Sequence, residues 1–430
     1  MIDIFLSSFN ILKHKTVKTN GRNKRKIISD PVYGLITIPN DLIFDLIEHP
    51  WFQRLRRIMQ LGLTHYVYPS AMHTRFQHAL GSMHLMMQAI EILRSKDHVI
   101  TREEEEGVLT AVLLHDIGHG PFSHTLELSI VQGLSHEDLS LLMIDQLNLA
   151  FNHRFDLATS IFRDDYPKRF LRQLVSSQLD MDRLDYLSRD SFFTGVAEGV
   201  INTDRIIKML TVVNDELVVE AKGIYSIEKF IIARRLMYWQ VYLHKTVVAA
   251  EYMMINILRR AKFLVSEGTT LFMTPPLTAF LSREISVTNF LENENGLEQF
   301  ARLDDYDIIS CIKIWMEHPD KILSYLCKNI IDRHLYKVMI QNDPFDPLLV
   351  EEIRAKVIRQ FGLKETDADY FVVQGSVTNN AYNPVQDKIR ILFTNNELID
   401  VSDASDNLNI SVLSSPVSKH LLCLPKEMAL

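Results

Sequence analysis

The chain has 430 residues, a net charge of −8, 47% hydrophobic residues and 23% charged residues. These values are ordinary for a soluble globular protein and exclude a disordered chain, and the length allows one large core or two to three domains. No apolar run approaches the roughly 20 residues that span a bilayer, and three scattered cysteines without CxxC spacing argue against a disulfide framework. We therefore expect a cytoplasmic protein without membrane contact. The acidic charge argues against non-specific binding of nucleic acid.

The N-terminal part of the chain contains a strongly basic stretch, Lys13 to Lys26, that carries no acidic residue. This composition predicts a flexible, solvated basic segment over residues 1–25. The alternative is that these cations contribute to a phosphate site.

Apolar residues at three- and four-residue intervals dominate the next 300 residues and predict a mainly α protein. The helical segments in chain order are 41–62, which Pro50 breaks and Gly62 ends, then 81–95, 102–119, 135–147, 168–180 and 226–261. The segment 226–261 has few helix breakers and predicts one long helix. Before it, the alternating stretch 215–227 predicts a small hairpin.

The pattern changes from about Asp343 onwards. Residues 351–362 predict a helix, and 370–377 and 388–394 predict strands separated by Asn-rich turns. We therefore predict a helical catalytic body over 26–330 and a smaller α+β lobe over 331–430.

The dipeptide His115-Asp116, in the run LLHDIGHGPFSH, is the most informative feature of the chain. Neighbouring side chains on a helix point about 100° apart. Both can therefore contact the same group only if it is small, such as a divalent metal ion, and lies between neighbouring helices. His78 and Asp182 supply two further candidate ligands. The four residues make an N2O2 set that suits Zn, Fe, Mn or Ni and leaves room for water.

Three motifs, RFQH, HDIGHGPFSH and LDMDRLDYLSRD, resemble those of the HD-domain phosphohydrolases. More narrowly they resemble the deoxynucleoside triphosphate (dNTP) triphosphohydrolase branch, which includes the bacterial dGTPases and the mammalian SAM-and-HD-domain enzyme. The resemblance covers roughly residues 26–260 and extends more thinly to about 340. It implies an HD-domain helical fold and one divalent cation, Fe, Mn, Zn, Ni or Mg, held by His78, His115, Asp116 and Asp182.

Catalytic roles follow from the same resemblance. Hydrolysis at phosphorus needs an activated water, neutralised phosphate oxygens and a proton for the leaving oxygen. His124 matches the residue that protonates the sugar 5′ oxygen, and Glu127 matches the carboxylate that orients it. His119 and His136 match histidines that contact phosphate or a second metal, and a structural role is the alternative for both.

Substrate recognition is also implied by the resemblance. Cations match phosphate-contacting positions, because a guanidinium binds two oxygens at once, and other residues match the sugar site. The residues that match phosphate contacts are Arg75, Arg183, Arg234 and Lys245. At the sugar, Gln60 and Asp190 match the partners of the 3′-OH, and Tyr186 matches the ring beneath the sugar. Leu61 and Tyr242 match the wall against a 2′-OH, and His244 matches a further substrate contact. The wall predicts deoxynucleotides over ribonucleotides. Trp239, Gln240 and Leu243 depart from the mammalian pattern beside the base, which leaves base preference open.

A second nucleotide site between subunits is implied by a further set of matching positions. They are Lys26, Ile27, Glu48, Gln53, Arg56, Arg205, Arg333 and Lys337. Glu48 supplies an acceptor for the paired N–H donors of guanine, and Arg333 and Lys337 are expected on one face of a helix. The alternative is an ordinary charged surface. We expect a homo-oligomer, dimer or tetramer, activated by dGTP or GTP.

The sequence therefore predicts a metal-dependent hydrolase that splits a dNTP into deoxynucleoside and triphosphate. Another HD-domain nucleotide phosphatase, pyrophosphatase or phosphodiesterase is the alternative within enzymes. Outside enzymes, the alternative is a nucleic-acid-binding scaffold whose metal is structural.

Overall fold

A computed structural model describes residues 26–122, 135–282, 296–385, 387–405 and 416–428. The described chain is mainly helical with small sheets, which confirms the predicted fold class. The helices are α1 Asp41–Ile47, α2 Pro50–Gln53, α3 Arg75–Ser95, α4 Arg102–Leu114, α5 His136–Ala150, α6 Asp156–Phe162, α7 Arg169–Val175, α8 Met181–Thr194, α9 Thr203–Lys208, α10 Ile224–Met237, α11 Lys245–Ser266, α12 Pro275–Leu281, α13 Gly296–Phe300, α14 Asp305–Trp315, α15 Lys321–Ile331, α16 Pro347–Phe361 and α17 Val401–Ala404. Within these ranges, no helix has the length and apolar character needed to cross a membrane.

Nine strands lie in three sheets of the described chain. They are β1 Ile27–Asp30, β2 Gly34–Thr37, β3 Leu210–Val213, β4 Glu216–Glu220, β5 Lys337–Gln341, β6 Val373–Asn379, β7 Arg390–Leu392, β8 Leu398–Asp400 and β9 Val417–Leu424. β1 and β2 form an antiparallel hairpin, the second sheet has the order β3-β4-β7-β8, and the third has the order β5-β9-β6. In the second sheet β4 and β7 are parallel, with Val219 opposite Ile391. A strand of the helical body therefore pairs with a strand of the C-terminal part.

Helices α3, α4 and α8 form the scaffold of the site. Both α3 and α4 begin with a capping box, Thr74 with Gln77 and Thr101 with Glu104, which satisfies backbone N–H groups that a helix start leaves free. Along α3 a continuous series of side chains is buried, and α3 packs against both α4 and α8. Because the apolar faces of the three helices converge, polar groups at their ends and inner faces are brought close together.

The prediction of one long helix over 226–261 is wrong. Helix α10 ends at Met237, a π-helical turn covers Tyr238–Tyr242, and α11 begins only at Lys245. His244 has an extended backbone, and its Nδ1 accepts the N–H of Thr246 at 3.2 Å, so it caps α11. The break depends on this side-chain cap and contains no proline or glycine, so apolar periodicity alone did not reveal it.

Two smaller predictions also need correction. The hairpin lies at 210–220 rather than 215–227: Asn214 and Asp215 form its turn with φ of 51° and 60°, the left-handed region that Asn and Asp tolerate. Within 41–62 the α-helix ends at Gln53, and a 3-10 turn, Arg54–Arg57, follows it. The side chain of Arg54 is buried in this turn and donates hydrogen bonds to the carbonyls of Ile117, His119 and Leu303.

Candidate metal centre and active site

The four predicted metal ligands come together between α3, α4 and α8. His78 lies on α3, His115 is the C-cap of α4 and Asp116 follows it, and Asp182 is in the first turn of α8. The Nε2 atom of His78 is 3.4 Å from Nε2 of His115 and 3.0 Å from Oδ1 of Asp182. Nε2 of His115 is 3.3 Å from Oδ1 of Asp182 and 3.4 Å from Oδ1 of Asp116. Two imidazoles and two carboxylates therefore point their donor atoms at one small volume.

Both imidazoles are oriented by a hydrogen bond from the opposite ring nitrogen. Nδ1 of His115 lies 2.6 Å from the carbonyl oxygen of Val112, which can only accept, so Nδ1 carries the proton. Nδ1 of His78 lies 2.7 Å from Oδ2 of Asp185, a buried carboxylate. The Nε2 lone pairs then face the cluster, which is the tautomer that a metal-binding histidine needs.

The electrostatics of the cluster suit a bound cation. Burial lowers the pKa of His78, but hydrogen bonds with Asp182 and Asp185 outweigh it and raise that pKa to about 10. For His115, the charges of Asp116 and Asp182 outweigh burial and raise the pKa to about 9. Burial raises the pKa of Asp182, but the two histidines hold it well below its usual range. The carboxylates are thus ionised, and a divalent ion can replace the protons that they attract.

Further polar groups surround the cluster. The guanidinium of Arg75 contacts Asp116, and Nε2 of His119 is 3.1 Å from Oδ1 of Asp116. The rings of His119 and His136 stack with centroids 4.0 Å apart. Burial, reinforced by the charge of Arg75, lowers the pKa of His119 to about 3, so its imidazole is neutral.

The two residues assigned to leaving-group protonation, His124 and Glu127, lie outside the described residues. Their roles remain predictions.

The predicted sugar residues include Tyr242, the last residue of the π-helical turn. Asp190 is buried and accepts a hydrogen bond from the hydroxyl of Tyr242 at 2.7 Å. It is also 2.8 Å from Nε2 of His73, which the sequence analysis missed. The backbone N–H of Gln60 donates to the carbonyl of His73 at 3.0 Å, and Leu61 follows it at the start of the next 3-10 turn. Tyr186 contacts Tyr242 edge-on, with centroids 6.3 Å apart.

The predicted phosphate cations differ in their surroundings. Arg183 donates from Nε to the carbonyl of Ser177 at 2.6 Å, and Arg234 donates from Nη1 to the carbonyl of Ala381 at 3.3 Å. Burial raises the pKa of Tyr186 overall, although the charges of Arg234 and Arg183 oppose that shift. His244 caps α11, and Lys245 is exposed at the first position of that helix.

Five of the eight predicted regulatory residues lie together at the surface, and four of them interact through their side chains. Nζ of Lys26 is 3.5 Å from Oε1 of Glu48, and Nε of Arg56 donates to Oε1 of Gln53 at 2.8 Å. Burial lowers the pKa of Arg56, and the charge of Glu48 partly opposes that shift. Ile27 is exposed beside Lys26.

The other three regulatory positions lie elsewhere on the surface. Arg205, on α9, donates to the carbonyl of Lys222 at 2.9 Å. The prediction that Arg333 and Lys337 share a helix face is wrong. Helix α15 ends at Ile331, Arg333 has a left-handed backbone with φ of 59°, and Lys337 begins β5. The strand pairing of β5 with β9 takes the backbone hydrogen bonds that a longer helix would have used.

Two buried side chains that the sequence analysis missed hold the loop after His115-Asp116. Arg54 donates to the carbonyls of Ile117 at 3.1 Å, His119 at 2.6 Å and Leu303 at 2.8 Å. Asp305 accepts the backbone N–H of Phe122 at 3.1 Å and that of Met59 at 2.8 Å. Both residues therefore fix the backbone that carries His119.

Replacing Asp305 by asparagine should change how stability depends on pH. Burial, which outweighs its two N–H hydrogen bonds, raises the pKa of Asp305 from 3.8 to about 7. A raised pKa in the folded state gives stability that is present below about pH 4 and lost as the pH rises through about 7. Relative to Asp305→Asn, the wild type should lose about 2–3 kcal/mol of unfolding free energy between about pH 5 and 8. Urea unfolding at both pH values measures this, and parallel pH profiles would contradict it.

His78, His115 and Asp116 form a group that could hold a metal ion, and Oδ1 of Asp182 lies within 3.3 Å of both imidazoles. Such a cluster, with an arginine and further histidines beside it, suits a metal-dependent hydrolase. Residues 75–190 match the HD domain, and residues 201–269 match the HD associated region. A phosphohydrolase of Bacteroides thetaiotaomicron has a similar crystal structure, with a TM-score of 0.91 and 53% identity, over 93% of this chain and 100% of that one.

Two protein relatives extend the comparison. The Bacillus subtilis protein YwfO is 31% identical over 95% of this chain and 94% of its own length. A deoxynucleoside triphosphate triphosphohydrolase SAMHD1 homolog of Dictyostelium discoideum is 29% identical over 85% of this chain and 71% of its own length. The chain belongs to the HD-domain phosphohydrolase family, which confirms the resemblance seen in its motifs.

Proposed function

We propose that the protein hydrolyses dNTPs to deoxynucleoside and triphosphate. The reaction adds water across the bond between the α-phosphorus and the sugar 5′ oxygen: the water oxygen joins phosphorus, and the 5′ oxygen takes up a proton. The observation that carries the proposal is the convergence of His78, His115, Asp116 and Asp182 beside Arg75. A divalent cation held there would polarise a phosphate oxygen and lower the pKa of a bound water.

On this proposal the phosphates are bound by cationic side chains near the four candidate metal ligands. Arg75 lies one turn before His78 on α3, and its contact with Asp116 places its guanidinium at the edge of the ligand set. Arg183 follows Asp182 directly. Arg234 has a buried Nε with no hydrogen-bond partner among the described residues, so it retains a donor for a phosphate oxygen. Lys245 is exposed, so its ammonium group is available to a phosphate as a further cation.

On this proposal the sugar is recognised by Asp190 and the residues near it. Its carboxylate holds the hydroxyl of Tyr242, which fixes that ring beside Tyr186. The buried Oε1 of Gln60 has no partner within the described part of the chain and can accept a hydrogen bond from a sugar hydroxyl. On this proposal the fixed ring of Tyr242 and the side chain of Leu61 form the wall that excludes a 2′-OH, which would favour deoxynucleotides. Protonation of the 5′ oxygen is assigned to His124, with Glu127 orienting it.

Regulation is proposed at the Lys26, Glu48, Gln53 and Arg56 cluster. A guanine base would place its N1–H and N2–H donors on the Glu48 carboxylate, while the two cations face its phosphates. On this proposal dGTP or GTP activates a homo-oligomer.

One experiment tests these proposals together. Protein loaded with Mn²⁺ is incubated with each dNTP and with GTP, with and without dGTP, and the products and oligomer size are measured. We expect deoxynucleoside and intact tripolyphosphate, and faster turnover of dNTPs than of GTP. Release of monophosphate or pyrophosphate instead would favour another HD-domain reaction. Equal rates for GTP and dGTP would contradict the 2′-OH wall. An unchanged rate and size with dGTP would contradict the activator site.

A further inference from the structure

A buried chain of charged groups connects the N-terminal hairpin to the metal centre. It runs from Asp30 at the end of β1 through Arg189 and Asp185 on α8 to His78 on α3. Arg189 and Asp185 are fully buried, and Asp30 is almost so. Every link is a hydrogen bond of 3.0 Å or less.

Each group in the chain has its orientation set by the next. Arg189 binds Asp185 with two parallel hydrogen bonds, Nε to Oδ2 at 2.9 Å and Nη2 to Oδ1 at 3.0 Å. This fork fixes the plane of the Asp185 carboxylate, and Oδ2 then accepts the hydrogen bond that Nδ1–H of His78 donates. Arg189 in turn needs an acceptor for Nη1, and Asp30 supplies it from Oδ2 at 2.7 Å.

The packing around this chain leaves little freedom. A Cβ atom on Gly81 of α3 would lie 1.9 Å from Oδ1 of Asp185 and 2.2 Å from Nη2 of Arg189, so α3 approaches the pair closely. Tyr33, in the turn of the hairpin, lies under the Arg189 guanidinium, whose Cζ is 5.6 Å from the ring centroid. The other oxygen of Asp30, Oδ1, accepts the N–H groups of Val32 and Tyr33, which holds the turn and the carboxylate together.

We propose that Asp30 is a positioning residue for the metal centre, acting through Arg189 and Asp185 to aim Nε2 of His78. Without the Asp30 carboxylate, the buried Arg189 charge keeps one carboxylate partner and an unsatisfied Nη1 donor. Asp185 is then held by a guanidinium free to shift, and the His78 ring loses its fixed direction. Partners of this kind orient metal ligands and raise their basicity.

The position of the hairpin and the affinity for metal are linked by this chain. The hairpin begins next to Lys26, which contacts Glu48 on the surface. If seating of the hairpin strengthens metal binding, metal binding must stabilise the seated hairpin by the same free energy. The inference rests on the metal centre described above and not on the identity of the substrate.

The test is the Mn²⁺ affinity of Asp30→Asn, measured by competition with a chelator. The amide keeps an oxygen for the N–H groups of the turn but presents a donor to Arg189. We expect the affinity to fall about tenfold, the lower end of losses for partners of metal ligands. Asp185→Asn should lower it at least as much. Arg189→Lys, which keeps the charge but loses the fork, provides a second variant should Asp30→Asn fail to fold.

Asp320→Asn is the matched control. Its Oδ1 also accepts a helix N–H, from Leu323 at 2.8 Å, together with Nε of Arg260 at 3.1 Å, and its Oδ2 accepts Nη2 of the same arginine at 2.5 Å. It should lose stability without changing the Mn²⁺ affinity. As a second readout, Mn²⁺ should slow hydrogen exchange of the amides of residues 28–37 in the wild type but not in Asp30→Asn.

The outcomes separate this inference from the proposed function. An Mn²⁺ affinity of Asp30→Asn and Arg189→Lys equal to that of the wild type, with Asp185→Asn weakened, overturns the role of Asp30. A wild type that binds Mn²⁺ and shows the expected variant effects, but releases no tripolyphosphate, contradicts only the proposed substrate. A wild type that does not bind Mn²⁺ overturns both.

Discussion

Replacing Asp182 by alanine should remove Mn²⁺ binding and turnover together. Oδ1 of Asp182 lies within 3.3 Å of both ligand imidazoles, so its loss takes away a ligand and half of the carboxylate charge in the set. Loss of an outer partner alone costs about 10–100-fold in affinity, so we expect a direct ligand to cost more than about 100-fold. Chelator competition and bound-metal analysis measure the first effect, and tripolyphosphate release measures the second.

Asp145→Ala provides the control for a lost carboxylate. Asp145 lies on α5 and pairs with Arg163 at 2.6 Å on the surface, where such a pair contributes about 0–1 kcal/mol. Its Mn²⁺ affinity and turnover should match those of the wild type. Full turnover by Asp182→Ala would exclude a hydrolytic site at this cluster. Metal loss without loss of turnover would indicate that the metal is structural.

The convergence of the four ligands could be predicted because it depends on the order and spacing of a motif. His115 and Asp116 are adjacent and follow a long apolar run, although the predicted helix 102–119 extends past them and the observed helix ends at Leu114. His78 and Asp182 were candidate ligands from their motifs, and the family resemblance implied the same four residues. Helix class was predictable for the same reason, since apolar periodicity directly reflects which face of a helix is buried.

The supporting residues could not be predicted, because they pair across long separations in sequence. Asp30 and Arg189 are 159 residues apart, and Arg54 and Leu303 are 249 apart. Periodicity carries no information on such pairs, and a single arginine in a polar stretch is usually solvated. Asp185 did offer a signal: it lies three residues after Asp182 on the same helix, so both carboxylates face α3. The break between α10 and α11 could not be predicted either, because a histidine cap such as His244 has no strong sequence signature.

Gly118→Ala should be the most damaging small substitution in the loop that follows His115-Asp116. A Cβ atom there would lie 2.2 Å from the backbone nitrogen of Ser140 and 2.4 Å from the carbonyl oxygen of His136. Both are backbone atoms of α5, so the whole helix has to move. That movement would break the hydrogen bond from Ser140 to the carbonyl of His115, 2.8 Å long, and separate His136 from His119. We expect a loss of about 3 kcal/mol or more in unfolding free energy.

The Mn²⁺ affinity of Gly118→Ala should also fall. The carbonyl of His115 loses its hydrogen bond from Ser140, and the ring of His119 loses its stacking contact with His136. Urea unfolding and Mn²⁺ competition on the same preparation measure the two effects. Gly107→Ala, on α4, is the matched control: its Cβ would meet side-chain atoms of Leu157, the nearest at 2.9 Å, rather than the backbone of another helix, and alanine favours the helix by about 1 kcal/mol. That variant should keep the Mn²⁺ affinity of the wild type. If Gly118→Ala also kept it, the position of α5 would have no influence on the metal centre, and the stacked histidines would act independently of the ligands.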